Sequence, residues 1–254
     1  MTMSGGTPTS SCGLRWRCRF VRTGRRAVEG LLALLFPPQC VRCGAPLDSL
    51  GVLCPTCERE LPELSGPRCL RCGEALADPS IDLCLRCGTS ERFVDRFFAL
   101  GPYDGPWGEL VRTLKFEREP AVGRFLARRM ADWLRAHDLV DAFDWITYVP
   151  MCRRDRRARG FNQARLLAGG IGLRLHRPVV RALTKVRKTV PQSRLSAADR
   201  RANLRGAFRP VRYGNGRVLL VDDIGTTGST VEACARALKR GGYATVVVLT
   251  VARA

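Results

Sequence analysis

Thirteen residues near the carboxyl end of the chain, VLLVDDIGTTGST from Val218 to Thr230, combine three chemical features. Four apolar residues lead into two adjacent acids, Asp222 and Asp223, and a loop of Gly, Thr and Ser follows. Such an apolar run is typical of a parallel strand that is buried on both faces, and ligands bind beyond the carboxyl ends of such strands. We therefore expect both carboxylates to lie in a solvated cleft at a ligand-binding edge of a sheet.

The loop after the acids has the composition of a phosphate-binding loop. Glycine lets the backbone approach a ligand closely, and hydroxyls, amides and the start of the next helix can donate to an anion. The carboxylates can accept hydrogen bonds from two vicinal hydroxyls, and the loop lacks the lysine of a P-loop. The motif predicts a ribose 5-phosphate site formed by Asp222, Asp223, Gly225, Thr226, Thr227, Gly228, Ser229 and Thr230.

The cysteines indicate a second kind of chemistry. Eight of the 12 form four C-x-x-C pairs within a repeat, CVRCGAPLDSLGVLCPTC and CLRCGEALADPSIDLCLRC. Two such pairs supply the four thiolates of a closed structural zinc site, although iron–sulfur binding stays open, as does nucleic-acid binding by the ribbons. The simplest pairing groups the cysteines sequentially, and an interleaved pairing is the alternative: Cys40, Cys43, Cys54 and Cys57 on one ion, Cys69, Cys72, Cys84 and Cys87 on the other.

Composition limits the class of protein. The chain has 254 residues, 45% of them hydrophobic, which is enough for a packed core, and its formal net charge is +20. That charge favours a polyanionic partner, or it only confers solubility. Metal-bound thiolates indicate a reducing compartment, so we expect a cytoplasmic protein. The apolar run at 28–36 is too short to span a bilayer and is predicted to form a short helix.

The elements that must position these residues alternate between strand and helix after residue 96. This order predicts an α/β domain with a mostly parallel sheet. The expected organisation is a disordered basic tail at 1–26, a short helix plus double zinc ribbon at 27–92, and the α/β domain at 93–254. The hydrophobic periodicity predicts helices at 107–116, 122–137, 161–175 and 229–242, and strands at 96–103, 144–150, 179–186, 217–223 and 244–253.

The acid pair and its loop resemble the signature of the type I phosphoribosyltransferases. Three further stretches are similar to the ComF/GntX family of phosphoribosyltransferase-like proteins: VPMCRRDRRARGFNQARLLA at 149–168, RLSAADRRANLRGAF at 194–208, and the cysteine repeat. The resemblance covers roughly residues 31–253. It implies a double zinc ribbon followed by a type I phosphoribosyltransferase-like domain, and a link to natural DNA uptake.

The same resemblance implies roles for two basic loops. Arg159 and Gly160 would hold the pyrophosphate of phosphoribosyl pyrophosphate, which binds with Mg²⁺, and Lys185 and Lys188 would belong to a flexible lid. The segment 97–103 is a possible part of the hood that selects the acceptor base. The alternative interpretation is a non-catalytic protein of the competence machinery that binds single-stranded DNA and other competence proteins.

Overall fold

The computed structural model describes residues 38–47, 51–117, 119–187, 204 and 206–254. The basic tail, the helix predicted at 28–36 and Lys188 lie outside these residues. In the described ranges, no helix is long and apolar enough to cross a bilayer.

The centre of the fold is a sheet of four parallel strands. They lie in the order β1 (Arg96–Pro102), β6 (Thr245–Arg253), β5 (Arg217–Gly225) and β2 (Trp145–Tyr148). Its two longest strands, β5 and β6, have Val- and Leu-rich sequences that suit burial on both faces. The predicted α/β class with a mostly parallel sheet is confirmed. The two further strands of the described residues are β3 (Leu183–Lys185) and β4 (Phe208–Pro210).

Helices cover both faces of this sheet. One core joins the helices at 120–136 and 163–175 to Leu219 and Val221 of β5. The other core joins the helix at 229–240 to Val218 and Leu220. Successive residues of a strand point to opposite faces, so this alternation assigns each face its helices. The helices are α1 (Pro55–Arg59), α2 (Leu85–Gly88), α3 (Pro106–Arg112), α4 (Pro120–Ala136), α5 (Arg153–Arg159), α6 (Gln163–Leu175) and α7 (Ser229–Arg240).

Three segments differ from the sequence-based expectations. The helix predicted at 107–116 ends as α3 at Arg112 and continues as a π-helical turn, Thr113–Glu117. The segment expected as the pyrophosphate loop contains the short helix α5, whose first turn is capped by the Cys152 thiol. The strand predicted at 179–186 is split, as described next.

Only the first part of 179–186 joins the main sheet, through a parallel bridge between Val179 and Ile146. Beyond Val180, the Thr147 hydroxyl accepts a hydrogen bond from the Ala182 amide, in place of a backbone carbonyl of β2. The chain then leaves the main sheet, and β3 pairs with β4 in a separate two-stranded antiparallel sheet. A side-chain partner therefore ends the strand, which a propensity pattern does not reveal.

Candidate functional site

The two acids of the motif lie near the carboxyl end of β5, but they do not share one environment. Asp222 lies on the α7 side of the sheet, where burial and then the charge of Asp222 raise the pKa of the Cys234 thiol, and both Lys115 and Lys185 lower the pKa of Asp222. Asp223 instead forms an ion pair with Lys115, with 2.9 Å between Nζ and Oδ2. The strand alternation that separates the two cores thus also separates the carboxylates.

The acid pair is more enclosed than the sequence suggested. The side chain of Asp223 is only 13% exposed, so the expectation that both carboxylates lie in a solvated cleft is wrong for this residue. Burial, followed by the charge of Asp223, raises the pKa of Asp222 to about 8, while the Asp223 amide and the nearby lysines oppose the shift. Two close, buried carboxyls therefore resist losing both protons near neutral pH, and the pair titrates as a unit.

This protonation state has a consequence for stability. The folded protein holds the Asp222 proton to about pH 8, whereas the carboxyl of an unfolded chain loses it near 3.8. The wild type should therefore lose stability as the pH rises through that window, because the folded state binds more protons there. We expect Asp222→Asn, which cannot titrate, to flatten this dependence by up to about 1 kcal/mol per pH unit. Urea unfolding at pH 5 and pH 8 measures it; parallel pH dependences of wild type and variant would contradict it.

The loop after the acids has the backbone geometry of a tight turn into a helix. Gly228 adopts φ 75°, a left-handed conformation that favours glycine, and helix α7 begins at the next residue. The Thr227 and Ser229 hydroxyl oxygens lie 2.9 Å apart. The glycine, the hydroxyls and the helix start expected for an anion site therefore meet at one end of β5.

The other predicted basic residues are distributed less compactly. Lys185, at the end of β3, lies close enough to Asp222 to lower its pKa, and it also stacks over the Phe208 ring. Arg159 ends α5, and no contact between it and the acids occurs among the described residues. Asn162 caps α6 by accepting a hydrogen bond from the Arg165 amide, and it also lines the groove between α4 and α6.

The eight cysteines of the repeat form two clusters, and each contains the four residues of one sequential unit. All four sulfur atoms in a cluster lie within 4.8 Å of one another, and the Cys43–Cys54 and Cys72–Cys84 sulfur distances are both 3.7 Å. A tetrahedral ion with Zn–S bonds of about 2.3 Å requires sulfurs about 3.8 Å apart. The thiolates therefore fit two zinc ions, and the sequential pairing is the observed one.

The second ribbon packs directly against the start of the phosphate loop. The Phe97 ring of β1 is wedged between Gly73 of the ribbon and Gly225 of the loop, where an added Cβ would lie 2.5 Å and 2.4 Å from ring carbons. The Arg253 guanidinium donates to the carbonyls of Cys72 and Gly225. The second ribbon thus packs along one side of the phosphate loop. A cavity of about 510 Å³ lies between the ribbon and the loop and is lined by Arg68, Arg86, Thr226 and Thr227.

The first ribbon docks elsewhere, on helices α3 and α4. Trp107 Nε1 donates to the Pro62 carbonyl at 2.7 Å, and Arg128 forms an ion pair with Glu58. Val52, Leu53 and Leu61 of this ribbon join the core on the α4 side of the sheet. The two ribbons therefore support different parts of the α/β domain.

A basic groove of about 750 Å³ lies beside the carboxyl end of β2, between α4 and α6. No acidic residue of the described chain lines it, although Tyr148 and Phe161 do. None of its arginines forms an ion pair within the described ranges: Arg124, Arg156, Arg165 and Arg181. Three of these four arginines, Arg124, Arg165 and Arg181, were not predicted as site residues, because they are distant from one another in the sequence.

Comparison with known proteins extends these observations. The sequence profile of the double zinc ribbon domain matches residues 31–90. The DNA utilization protein YhgH of Salmonella typhimurium LT2 is 34% identical over 249 residues, which cover 95% of this chain and 97% of that protein. Competence protein F of Haemophilus influenzae is 34% identical over 180 residues, 67% of this chain and 78% of the relative.

Solved structures give only a weak global match. The match to an adenine phosphoribosyltransferase structure covers 53% of this chain and 72% of that chain, with 18% identity and a TM-score of 0.33. The Salmonella relative is decisive, because its similarity covers 95% of this chain and so extends over both the ribbons and the α/β domain. Since 34% identity spans nearly the whole of this chain and of the Salmonella protein, the chain belongs to the ComF/GntX family, in which a double zinc ribbon precedes a phosphoribosyltransferase-like domain.

Proposed function

We propose that this protein binds phosphoribosyl pyrophosphate, or another ribose 5-phosphate compound, at the acid pair and its loop. The observation that carries the proposal is the junction at the end of β5, where Asp222 and Asp223 precede a glycine turn that opens helix α7. In this proposal the loop amides and hydroxyls bind the 5-phosphate, and the carboxylates accept hydrogen bonds from ribose hydroxyls. Arg159, Gly160, Lys185 and Lys188 would bind the pyrophosphate.

The acid pair also bears on the expected Mg²⁺. Its oxygens are suitable ligands, but one carboxyl holds a proton and the other is paired with Lys115, so the pair alone is a weak cation site. Asp222 and Asp223 would hold a Mg²⁺ that arrives with the pyrophosphate, where the ion supplies charge neutralisation of the leaving group. If phosphoribosyl transfer occurs, the basic loops stabilise that leaving group and the acid pair orients the ribose.

The biological setting in this proposal follows the names of the related proteins. They concern DNA utilization and competence, so we propose a role in DNA uptake or in the nucleotide metabolism linked to it, with competence proteins as partners. The thiolate clusters suit a reducing compartment, which supports a cytoplasmic role in this proposal.

Calorimetric titration of the zinc-loaded protein tests the ligand. Phosphoribosyl pyrophosphate with Mg²⁺ should bind, and ribose 5-phosphate should bind more weakly because it lacks the pyrophosphate. Absence of binding by the wild type at millimolar concentrations of both ligands would contradict the proposal. A screen of nucleobases that follows pyrophosphate release then separates an enzyme from a sensor.

A second function, the binding of single-stranded DNA, is favoured by the arginine groove. We propose that Arg124, Arg165 and Arg181 contact phosphates there, and that Tyr148 or Phe161 stacks on a base. Because these arginines form no ion pair within the described ranges, no carboxylate there offsets their attraction to a polyanion. The groove also lies next to the segment at 153–160. The groove would then add to the two basic loops that the sequence indicated.

Replacing these three arginines by alanine should lower the salt dependence of single-strand binding. Each lost phosphate contact reduces the slope of log affinity against log salt by about 0.7, so the triple variant should lose about 2. The matched control replaces three arginines that already have acidic partners, Arg42, Arg135 and Arg217, and removes the same charge. Fluorescence anisotropy over a salt series measures both; an equal loss of slope in the two variants would show that net charge, not the groove, binds the strand.

A further inference from the structure

The π-helical turn after α3 brings an unexpected residue to the acid pair. Lys115 lies in this turn, Thr113–Glu117, and its Nζ is 2.9 Å from Asp223 Oδ2. A π-helical turn widens the backbone, and such turns occur often at functional sites. Residues that are far apart in the sequence thus meet beside the proposed ribose site.

The ion pair of Lys115 with Asp223 differs from the other ion pairs of the described chain. Its side chains are 16% and 13% exposed, the lowest combination among them, whereas both side chains of the pair Arg135–Asp132 are at least 43% exposed. Removing two charges from water is costly, so a stability role alone is a weak reason for such a pair. The chain also has 43 basic residues of which lysine is a small minority, and lysine offers three donors on a compact charge.

We propose that Lys115 is a positioning residue of the ribose 5-phosphate site, where its ammonium group holds Asp223 in place as an acceptor for a ribose hydroxyl. One Asp223 oxygen receives the lysine, which leaves the other oxygen available to the sugar. The ammonium group also cancels the carboxylate charge, which would otherwise repel the phosphates of the ligand. This inference rests on the proposed function, and it adds a residue that the motif does not contain.

The experiment measures ribose 5-phosphate binding to the zinc-loaded full chain by calorimetry without Mg²⁺. We expect Lys115→Met to weaken binding about tenfold or more, which corresponds to the loss of one charged contact. The matched control is Lys239→Met, because Lys239 also forms a lysine–aspartate ion pair. Its partner is Asp95, at 2.7 Å, beside the opposite end of β6. The control should bind as the wild type does.

A double-mutant cycle separates positioning from a general structural effect. Lys115→Met should add little to the loss caused by Asp223→Asn, because the lysine acts through that carboxylate. Lys115→Arg, which keeps a positive charge beside Asp223, should restore part of the binding that Lys115→Met loses. Thermal melts of each variant confirm that it is folded.

The outcomes distinguish the two hypotheses. Failure of the wild type to bind ribose 5-phosphate at millimolar concentration contradicts the site itself. Wild-type binding that Lys115→Met leaves unchanged overturns only the role of Lys115. A fully additive double variant, with no recovery of binding in Lys115→Arg, also overturns it, because the lysine would then act without Asp223.

Discussion

Replacing Cys84 by serine is expected to release one of two zinc ions from each chain and to unfold the second ribbon. Cys84 belongs to a closed cluster of four cysteines, and this ribbon has only a small apolar cluster around its thiols. The binding free energy of a structural zinc ion is also folding free energy, about 10–16 kcal/mol in small zinc modules. Elemental analysis and limited proteolysis measure the two consequences.

The control for this variant is Cys152→Ser, since Cys152 lies outside both clusters and should leave two zinc ions bound. Two zinc ions in Cys84→Ser, or iron in the folded wild type, would contradict the assignment. The equivalent variant of the first ribbon, Cys54→Ser, should also lose one ion. Each of the two zinc-site variants is therefore expected to lose one zinc ion, from a different ribbon.

Their effects on ligand binding should differ. The second ribbon contacts the phosphate loop through Phe97 and Arg253, whereas the first packs on α3 and α4. Cys84→Ser should therefore weaken ribose 5-phosphate binding more than Cys54→Ser does. Equal losses in both variants would show that the contacts of Phe97 and Arg253 do not support the loop.

Replacing Asp223 by alanine is expected to weaken ribose 5-phosphate binding by one to two orders of magnitude. Loss of a hydrogen bond to a charged group costs roughly 1.5–3 kcal/mol, and each 1.4 kcal/mol is tenfold in affinity. Asp222→Ala should have a similar effect, whereas Asp222→Asn should be milder because the wild-type carboxyl is already protonated at neutral pH. Calorimetry of each variant gives these ratios.

Loop variants provide the contrast. Thr227→Val removes a hydroxyl from the phosphate side, and Gly228→Val forces a branched residue into a left-handed conformation, φ 75°. Both should weaken ribose 5-phosphate and inorganic phosphate alike, while the Asp variants should affect only the ligand that carries ribose. Equal ribose 5-phosphate binding by the wild type and an Asp222→Ala, Asp223→Ala double variant would place the site elsewhere.

Local patterns were sufficient to predict much of the architecture. The apolar runs of β5 and β6 identified buried parallel strands, and the apolar periodicity of α4 and α7 identified their helices, because these signals depend on neighbours in the chain. The C-x-x-C spacing identified two four-cysteine units for the same reason. It left their pairing open, which the folded ribbons resolve.

The acid pair shows where the sequence was not sufficient. The motif predicted that Asp222 and Asp223 end a strand, and those positions belong to β5. Their different neighbours follow from strand geometry, which turns consecutive side chains to opposite faces. The protonation of Asp222 depends on burial by residues from several elements, and no local pattern contains that information.

The sequence by itself predicted the four strands of the parallel sheet, the helices α4, α6 and α7, the two four-cysteine units and the family resemblance, because periodicity, cysteine spacing and short motifs are local properties. Only the tertiary structure decided that Lys115 pairs with Asp223, that Phe97 separates Gly73 from Gly225, and that dispersed arginines line one groove. Each of these contacts joins residues that are distant in the chain. Their meeting depends on how the helices and ribbons pack on the sheet, since packing brings together residues whose types and spacing carry no mutual signal.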